Sequence, residues 1–212
     1  MIKILKDILL SFYLLISSVI LAIIITLNIS SILYSVLIKL NKITNYNNIG
    51  KEEILNDYNN IINYLNSPSE QVLKFKNFKM SPTGEFHFLE VKKIFSSIYL
   101  IGLICLILGI LLFILFKNFK LKISLKALNI FFYEILFIVT ILLLSFYLNF
   151  SKVFTIFHKI FFNNDYWLFD PKKDTIINVL PESYFSFLAI FILFLVMIFS
   201  IIAKIFYTIK KT

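Results

Sequence analysis

Four stretches of this chain are long and apolar enough to cross a bilayer, roughly 8–28, 97–116, 127–149 and 184–203. Spanning the hydrocarbon takes about 20 predominantly apolar residues in a helix. Nothing constrains a fold more, because lipid offers no partner to a backbone amide and a span must satisfy its own hydrogen bonds. The chain is 59% hydrophobic and 17% aromatic, with a mean hydropathy of +0.89, well outside the range of a soluble domain. The first run continues without charge to Ile38, so residues 32–38 are expected to lie on or bend along the surface after Asn28, Ser30 and Ser31. It is too long for a signal peptide's apolar core and lacks a small-residue cleavage site, which predicts an uncleaved anchor.

Lysine placement orients the spans. All the positive charge is lysine, with no arginine, a bias that fits an AT-rich genome. Segments 1–7, 117–126 and 204–212 hold Lys3, Lys6, Lys117, Lys120, Lys122, Lys126, Lys204, Lys210 and Lys211 against the single acid Asp7. The two longer loops, 39–96 and 150–183, hold twelve lysines against ten carboxylates. Short basic loops stay cytoplasmic, so the expectation is a single membrane domain over 1–212. Charge thus gives topology alone: both termini and the loop 117–126 inside, and the loops 39–96 and 150–183 outside, whichever membrane holds the chain. The net charge of +9 is thereby a topology signal, and no nucleic-acid partner is needed to explain it.

The expected fold class is an all-α membrane protein, a four-transmembrane-helix bundle under an extracellular cap of amphipathic helices. In the first outer loop Ile54, Leu55, Tyr58, Ile61, Ile62 and Leu65 recur at helical spacing between Gly50 and Pro68. A small β element is also expected, with 72–78 as a short strand paired with 175–180. Ser81-Pro82 opens the next helix, with serine as N-cap and proline in the first turn. In the second loop Phe150, Phe154, Phe157 and Phe161 form the apolar face of an interfacial helix, and Tyr166 and Trp167 suit an aromatic belt. Within the spans, Gly102, Cys105 and Gly109 offer a smooth face to a neighbouring helix. Glu134 is expected to snorkel or to pair with Lys204.

The chemistry-bearing candidates are the two histidines, His87 and His158. Each sits about ten residues outside a span, at ends of helices that a short loop makes antiparallel neighbours. Imidazole exchanges protons near neutral pH, so their meeting would make a reaction centre. Glu90, three residues after His87 and on its face, could accept from one ring nitrogen. Three chemistries fit such a pair. Metal binding would add Asp165, Asp170 or Asp174, but neither a zinc signature nor a calcium loop is present. Serine hydrolysis lacks its nucleophile elbow. General acid–base catalysis needs only a substrate that brings its own nucleophile.

Two motifs carry a family resemblance. Met80-Ser81-Pro82 … Glu85-Phe86-His87-Phe88-Leu89-Glu90-Val91-Lys92 resembles the segment before the second span of the lipoprotein intramolecular transacylases (Lit). Phe157-His158-x-x-Phe161-Phe162-Asn163-Asn164-Asp165-x-Trp167-x-Phe169-Asp170-Pro171, followed by Asp174 and Leu180-Pro181-Glu182, resembles that family's second signature. Glu90 stands where the family is expected to carry aspartate. The resemblance implies a low-GC Gram-positive plasma-membrane acyltransferase working at the outer face without metal or cofactor. Its substrate would be a diacylglyceryl-cysteine lipoprotein, whose sn-2 acyl chain moves to the cysteine's own α-amine to leave the lyso-form. It further implies His87 and His158 as catalytic residues, with Glu90, Asn163, Asp165, Trp167 and Asp174 in support. The rival readings are a non-enzymatic four-span partner or assembly protein, and a metal-dependent membrane hydrolase.

Overall fold

The structure, a computed structural model, describes residues 2–40, 42–43, 46–69, 71–118 and 125–211. Helix α1 runs over Ile2–Lys39, α2 over Lys51–Asn66, α3 over Pro82–Asn118, α4 over Lys126–Phe161 and α5 over Glu182–Lys211, with a short 3-10 turn at Thr175–Val179. Among the described residues, α1, α3, α4 and α5 are long and apolar enough to cross a membrane, with peak mean hydropathy between 2.4 and 3.2. The chain is therefore a multi-pass, all-helical membrane protein. These four helices hold 38, 37, 36 and 30 residues. At 1.5 Å per residue they run ~45–57 Å, well beyond a ~30 Å hydrocarbon core. Each thus carries turns that lie outside the hydrocarbon. Helix α1 keeps its hydrogen-bonded ladder to Lys39 rather than breaking after Ser31. Most of the loop 117–126, Lys120 and Lys122 included, lies outside the described residues.

The chain forms two compact units, and all four long helices contribute to both. The first comprises Met1–Ile24, Ile98–Leu148 and Ala189–Thr212. Its core is Ala22, Phe131, Ile135, Val139 and Val196, flanked by Leu15, Val19 and Leu193. The small-residue face on α3 is used as expected: a Cβ at Gly102 would lie 3.2 Å from the side chains of Ile20 and Ile24. At Gly109 it would lie 2.5 Å from the Tyr13 hydroxyl, which donates to the Cys105 carbonyl at 2.8 Å. Glu134 and Lys204 take other partners. Glu134 accepts from Ser11 at 3.2 Å. Lys204 donates to Asn129, with its ammonium 4.8 Å from the Tyr133 ring.

The second unit comprises Ile25–Ser97 and Asn149–Leu188. Helix α2 forms where the apolar spacing predicts it, with the Glu53 carboxylate reaching back to the Gly50 amide at 2.8 Å. It buries Ile54, Tyr58, Ile61, Ile62 and Leu65, each worth ~1.5–3 kcal/mol if fully withdrawn from water. Tyr58 stacks on Tyr34 with ring centroids 4.0 Å apart, and its hydroxyl bonds that of Tyr184 at 2.7 Å. Helix α4 is broken at Asn149 (φ −167°, ψ 90°). The Asn149 side chain accepts from the Lys152 amide at 2.9 Å and so caps the second segment. The Phe150–Phe161 stripe is thereby a helix of its own.

The expected strand at 72–78 is absent, because its amides find a different acceptor. Asp57, fully buried on α2, accepts from the Lys76 amide at 2.8 Å and from the amide and side chain of Asn77 at 2.9 Å each. The expected partner 175–180 is the 3-10 turn instead. Just past the first segment, Lys79 N–H donates to Thr175 Oγ1 at 2.8 Å and Thr175 N–H to the Lys79 carbonyl at 3.1 Å. Replacing Asp57 by Ala strands these donors, and hydrogen bonds to a charged acceptor are worth about 1.5–3 kcal/mol. Asp57→Ala is expected to lower the unfolding midpoint in detergent by about 4–8 °C, while Asp57→Asn recovers part of the loss.

Candidate active site

The site is built from the first turns of α3, the last turns of α4 and the loop that follows. Ser81 caps α3, its hydroxyl accepting the Gly84 amide at 3.1 Å, and this turn presents His87 one step further on. His158 comes from the aromatic helix after Asn149. The two imidazoles meet at a centroid distance of 6.0 Å, 6% and 8% exposed. The neighbouring placement inferred from the short loop between the second and third spans is what the structure has.

Aromatic rings make up the walls. Phe162 and Phe169 stand edge-on to His87 at 4.7 and 5.4 Å. The Trp167 indole stacks on His158 at 4.6 Å with 28° between planes, and Phe154 lies 4.1 Å away. His158 Nδ1 is 2.7 Å from the carbonyl of Phe154. A carbonyl only accepts, so Nδ1 carries the proton and the lone pair of the neutral ring falls on Nε2. The Nδ1 of His87 and the Trp167 indole nitrogen are buried and make no hydrogen bond among the described residues.

Both histidines lie outside the apolar runs 97–116 and 127–149, yet burial disfavours charge on each. It pushes the His87 imidazole down to about 4, and the nearby His158 adds to the shift. His158 is also lowered by burial, with the bond to the Phe154 carbonyl opposing the effect. At neutral pH the site therefore holds two uncharged imidazoles, able to accept a proton at one nitrogen and to donate at another.

The supporting candidates fall into three groups. Trp167 is against His158. Glu90 does not reach the His87 ring; its Oε1 accepts from Asn164 at 2.8 Å, tying α3 to the loop after α4. Asp174, 3% exposed, accepts from Ser81 instead of an imidazole. Asn163 and Asp165 are exposed. No group of three or more His, Cys, Asp or Glu side chains with metal-binding geometry occurs among the described residues. Sequence reasoning missed the direct packing of Phe162 and Phe169 on His87. Both stand in the second motif, but an aromatic-rich chain gives no signal to single them out. It also missed Asp57, whose polarity on the apolar face of α2 was the available sign.

Fold and site together define a multi-pass membrane protein with an uncharged, aromatic-walled histidine pair. Residues 8–185 match the family model of the lipoprotein intramolecular transacylase Lit, and the chain belongs to that family, which makes it an acyltransferase. Its structure is similar to that of the membrane-integral lipoprotein intramolecular transacylase Lit from Bacillus cereus. The likeness covers 99% of this chain and 97% of that one, with a TM-score of 0.87 and 30% sequence identity. Two variants of the same enzyme, with one histidine changed to arginine or to alanine, each match at a TM-score of 0.81 and 30% identity. They cover 99% of this chain and 93% and 94% of their own. No curated protein matches the sequence.

Protonation of His87 leads to a stability prediction. Its folded pKa near 4 lies below the ~6.5 of a free imidazole, so the unfolded chain takes the proton first. The stability that depends on a neutral His87 is complete above about pH 6.5 and is lost as pH falls toward 4. Unfolding midpoints measured across that window should drop with acid, and His87→Gln should remove a large part of the slope.

Proposed function

We propose that this chain moves the sn-2 acyl group of a diacylglyceryl-cysteine lipoprotein onto that cysteine's α-amine, through His87 and His158 at the outer membrane surface. The observation that carries the reading is the pair of neutral imidazoles held 6.0 Å apart within a transacylase fold. The lysine distribution supports cytoplasmic termini, spans near 8–28, 97–116, 127–149 and 184–203, and a site facing outward.

The reaction asks for little beyond what these side chains supply. The α-amine, with a pKa of about 8, reacts as the neutral amine, its ammonium proton having gone to water beforehand. His158 Nε2 is the free lone pair and takes one of the neutral amine's two N–H protons as its nitrogen attacks the ester carbonyl carbon. His87 donates an N–H to the developing oxyanion, a task suited to an uncharged imidazole. On collapse, the acyl C–O bond breaks and the sn-2 oxygen leaves with the proton from His158. Atoms and protons balance within the substrate, which gains an amide, loses an ester and keeps a glyceryl hydroxyl. Ester to amide is downhill, so no cofactor or metal is required. Attack within one molecule supplies effective molarities on the order of 10⁵ M and upward. General base catalysis adds about 10²–10⁴-fold.

Trp167 holds the His158 ring plane by stacking, and the Glu90–Asn164 bond fixes the loop that carries Trp167. Asn163 and Asp165 are exposed, which supports a role for them at the polar part of the substrate. The aromatic walls exclude water, which would otherwise compete with the amine for the ester.

The test is mass spectrometry of lipoprotein N-termini in a host without its own transacylase. The wild-type chain should yield N-acyl-S-monoacylglyceryl product. His158→Ala and His87→Ala should each lower the rate on a diacylglyceryl-cysteine peptide by about 10²-fold or more. Unimpaired product from both variants overturns histidine catalysis, and none from the wild type overturns the substrate assignment.

A further inference from the structure

The loop after α4 returns to grip the chain where α3 begins. Asp174 Oδ1 accepts the Ser81 amide at 2.7 Å and Oδ2 accepts the Ser81 hydroxyl at 2.9 Å. That same hydroxyl oxygen accepts the Gly84 amide at 3.1 Å. The paired bonds between Lys79 and Thr175 extend the grip two residues before Ser81 and one after Asp174. A buried carboxylate is thus held entirely by the cap of α3, where the helix dipole favours negative charge.

Gly84 explains why the fit is this close. Its backbone is ordinary helix, so no left-handed conformation calls for glycine. A Cβ there would lie 2.3 Å from Asp174 Oδ1, 3.0 Å from Asp174 Cγ and 3.3 Å from Phe169 Cε1. Any side chain at position 84 drives the carboxylate away. Phe169 in turn stands 5.4 Å from His87 and stacks on Phe88 at 5.7 Å. Gly84 and His87 are three residues apart, on one face of the same helix.

We infer that Asp174, Ser81 and Gly84 form a latch that sets the rotation and height of α3's first turns, making Asp174 a positioning residue for His87. This rests on the assignment of His87 to the acyl transfer, and it adds a reason for a glycine and a buried acid that touch neither imidazole. A misplacement of about 1 Å at a reacting group costs on the order of 10²-fold in rate.

The experiment uses the full-length protein in detergent or bilayer. Asp174→Ala should lower kcat at least tenfold with KM changed by less than about twofold. Asp174→Asn keeps one acceptor oxygen for the Ser81 amide, and should restore most of the loss. Gly84→Ala should mimic Asp174→Ala, and the double variant should be little worse than either single one, because the added methyl then has no carboxylate to displace. Should Asp174→Ala fail to fold, Ser81→Ala and Gly84→Ala carry the same expectation.

A second readout does not depend on activity. The chain has two histidines, so ring ¹⁵N labelling resolves one signal set for each. Gly84→Ala and Asp174→Ala should shift the His87 signals and its titration more than those of His158. Unchanged kcat and His87 signals in both variants overturn the latch, as do strictly additive losses in the double variant. If His87→Ala stays active, the catalytic assignment fails, and the ¹⁵N signals alone decide the latch.

Discussion

Every backbone amide withdrawn from water must find a partner, and in a chain this apolar that demand shapes what is not helix as much as what is. The four long helices meet it internally. The connecting segments have no sheet to join, since the described residues contain only an isolated bridge between Tyr46 and Ile49. Carboxylates stand in for the missing strands. Asp57 takes the amides of residues 76 and 77, and Asp174 takes that of Ser81. Two buried acids thereby determine the path of the chain into the helix that carries His87.

Where a feature repeats over many residues, composition and spacing revealed it. The apolar runs were visible as helices, α2 followed from its spacing, and the aromatic stripe from Phe150 to Phe161 emerged as a separate helix. What spacing could not see were single long-range bonds. The segment 72–78 alternates well enough for a strand, but Asp57 is nineteen residues before Lys76 and outcompetes a ladder for its amides. Glu90 has the right offset to serve His87, yet Asn164 claims it across 74 residues. Glu134 and Lys204 suit each other in charge and depth, but Ser11 and Asn129 are nearer. In each case the partner that decides the outcome lies far off in the chain.

The histidine pair was legible as a juxtaposition, because a short connection between spans forces neighbouring helix ends. Its electrostatic character was not. Nothing in the motifs announces that burial would strip charge from both rings, or that the walls would be Phe162, Phe169 and Trp167. A site so poor in fixed charge suits a reaction whose reactants are an amine, an ester and hydrocarbon tails.

The bond from His158 Nδ1 to the backbone of its own helix has a further consequence. The ring cannot turn over without giving up that carbonyl, so a single nitrogen, Nε2, is left with a lone pair to exchange protons. In the acyl transfer proposed above, a proton received there departs from there, to an atom of the same bound molecule. Under the proposed transfer, His158 ends each cycle in the protonation state in which it started, because the proton it carries comes from and returns to the same molecule. Such a catalyst is self-resetting, and it can work beneath a hydrophobic surface that water seldom enters.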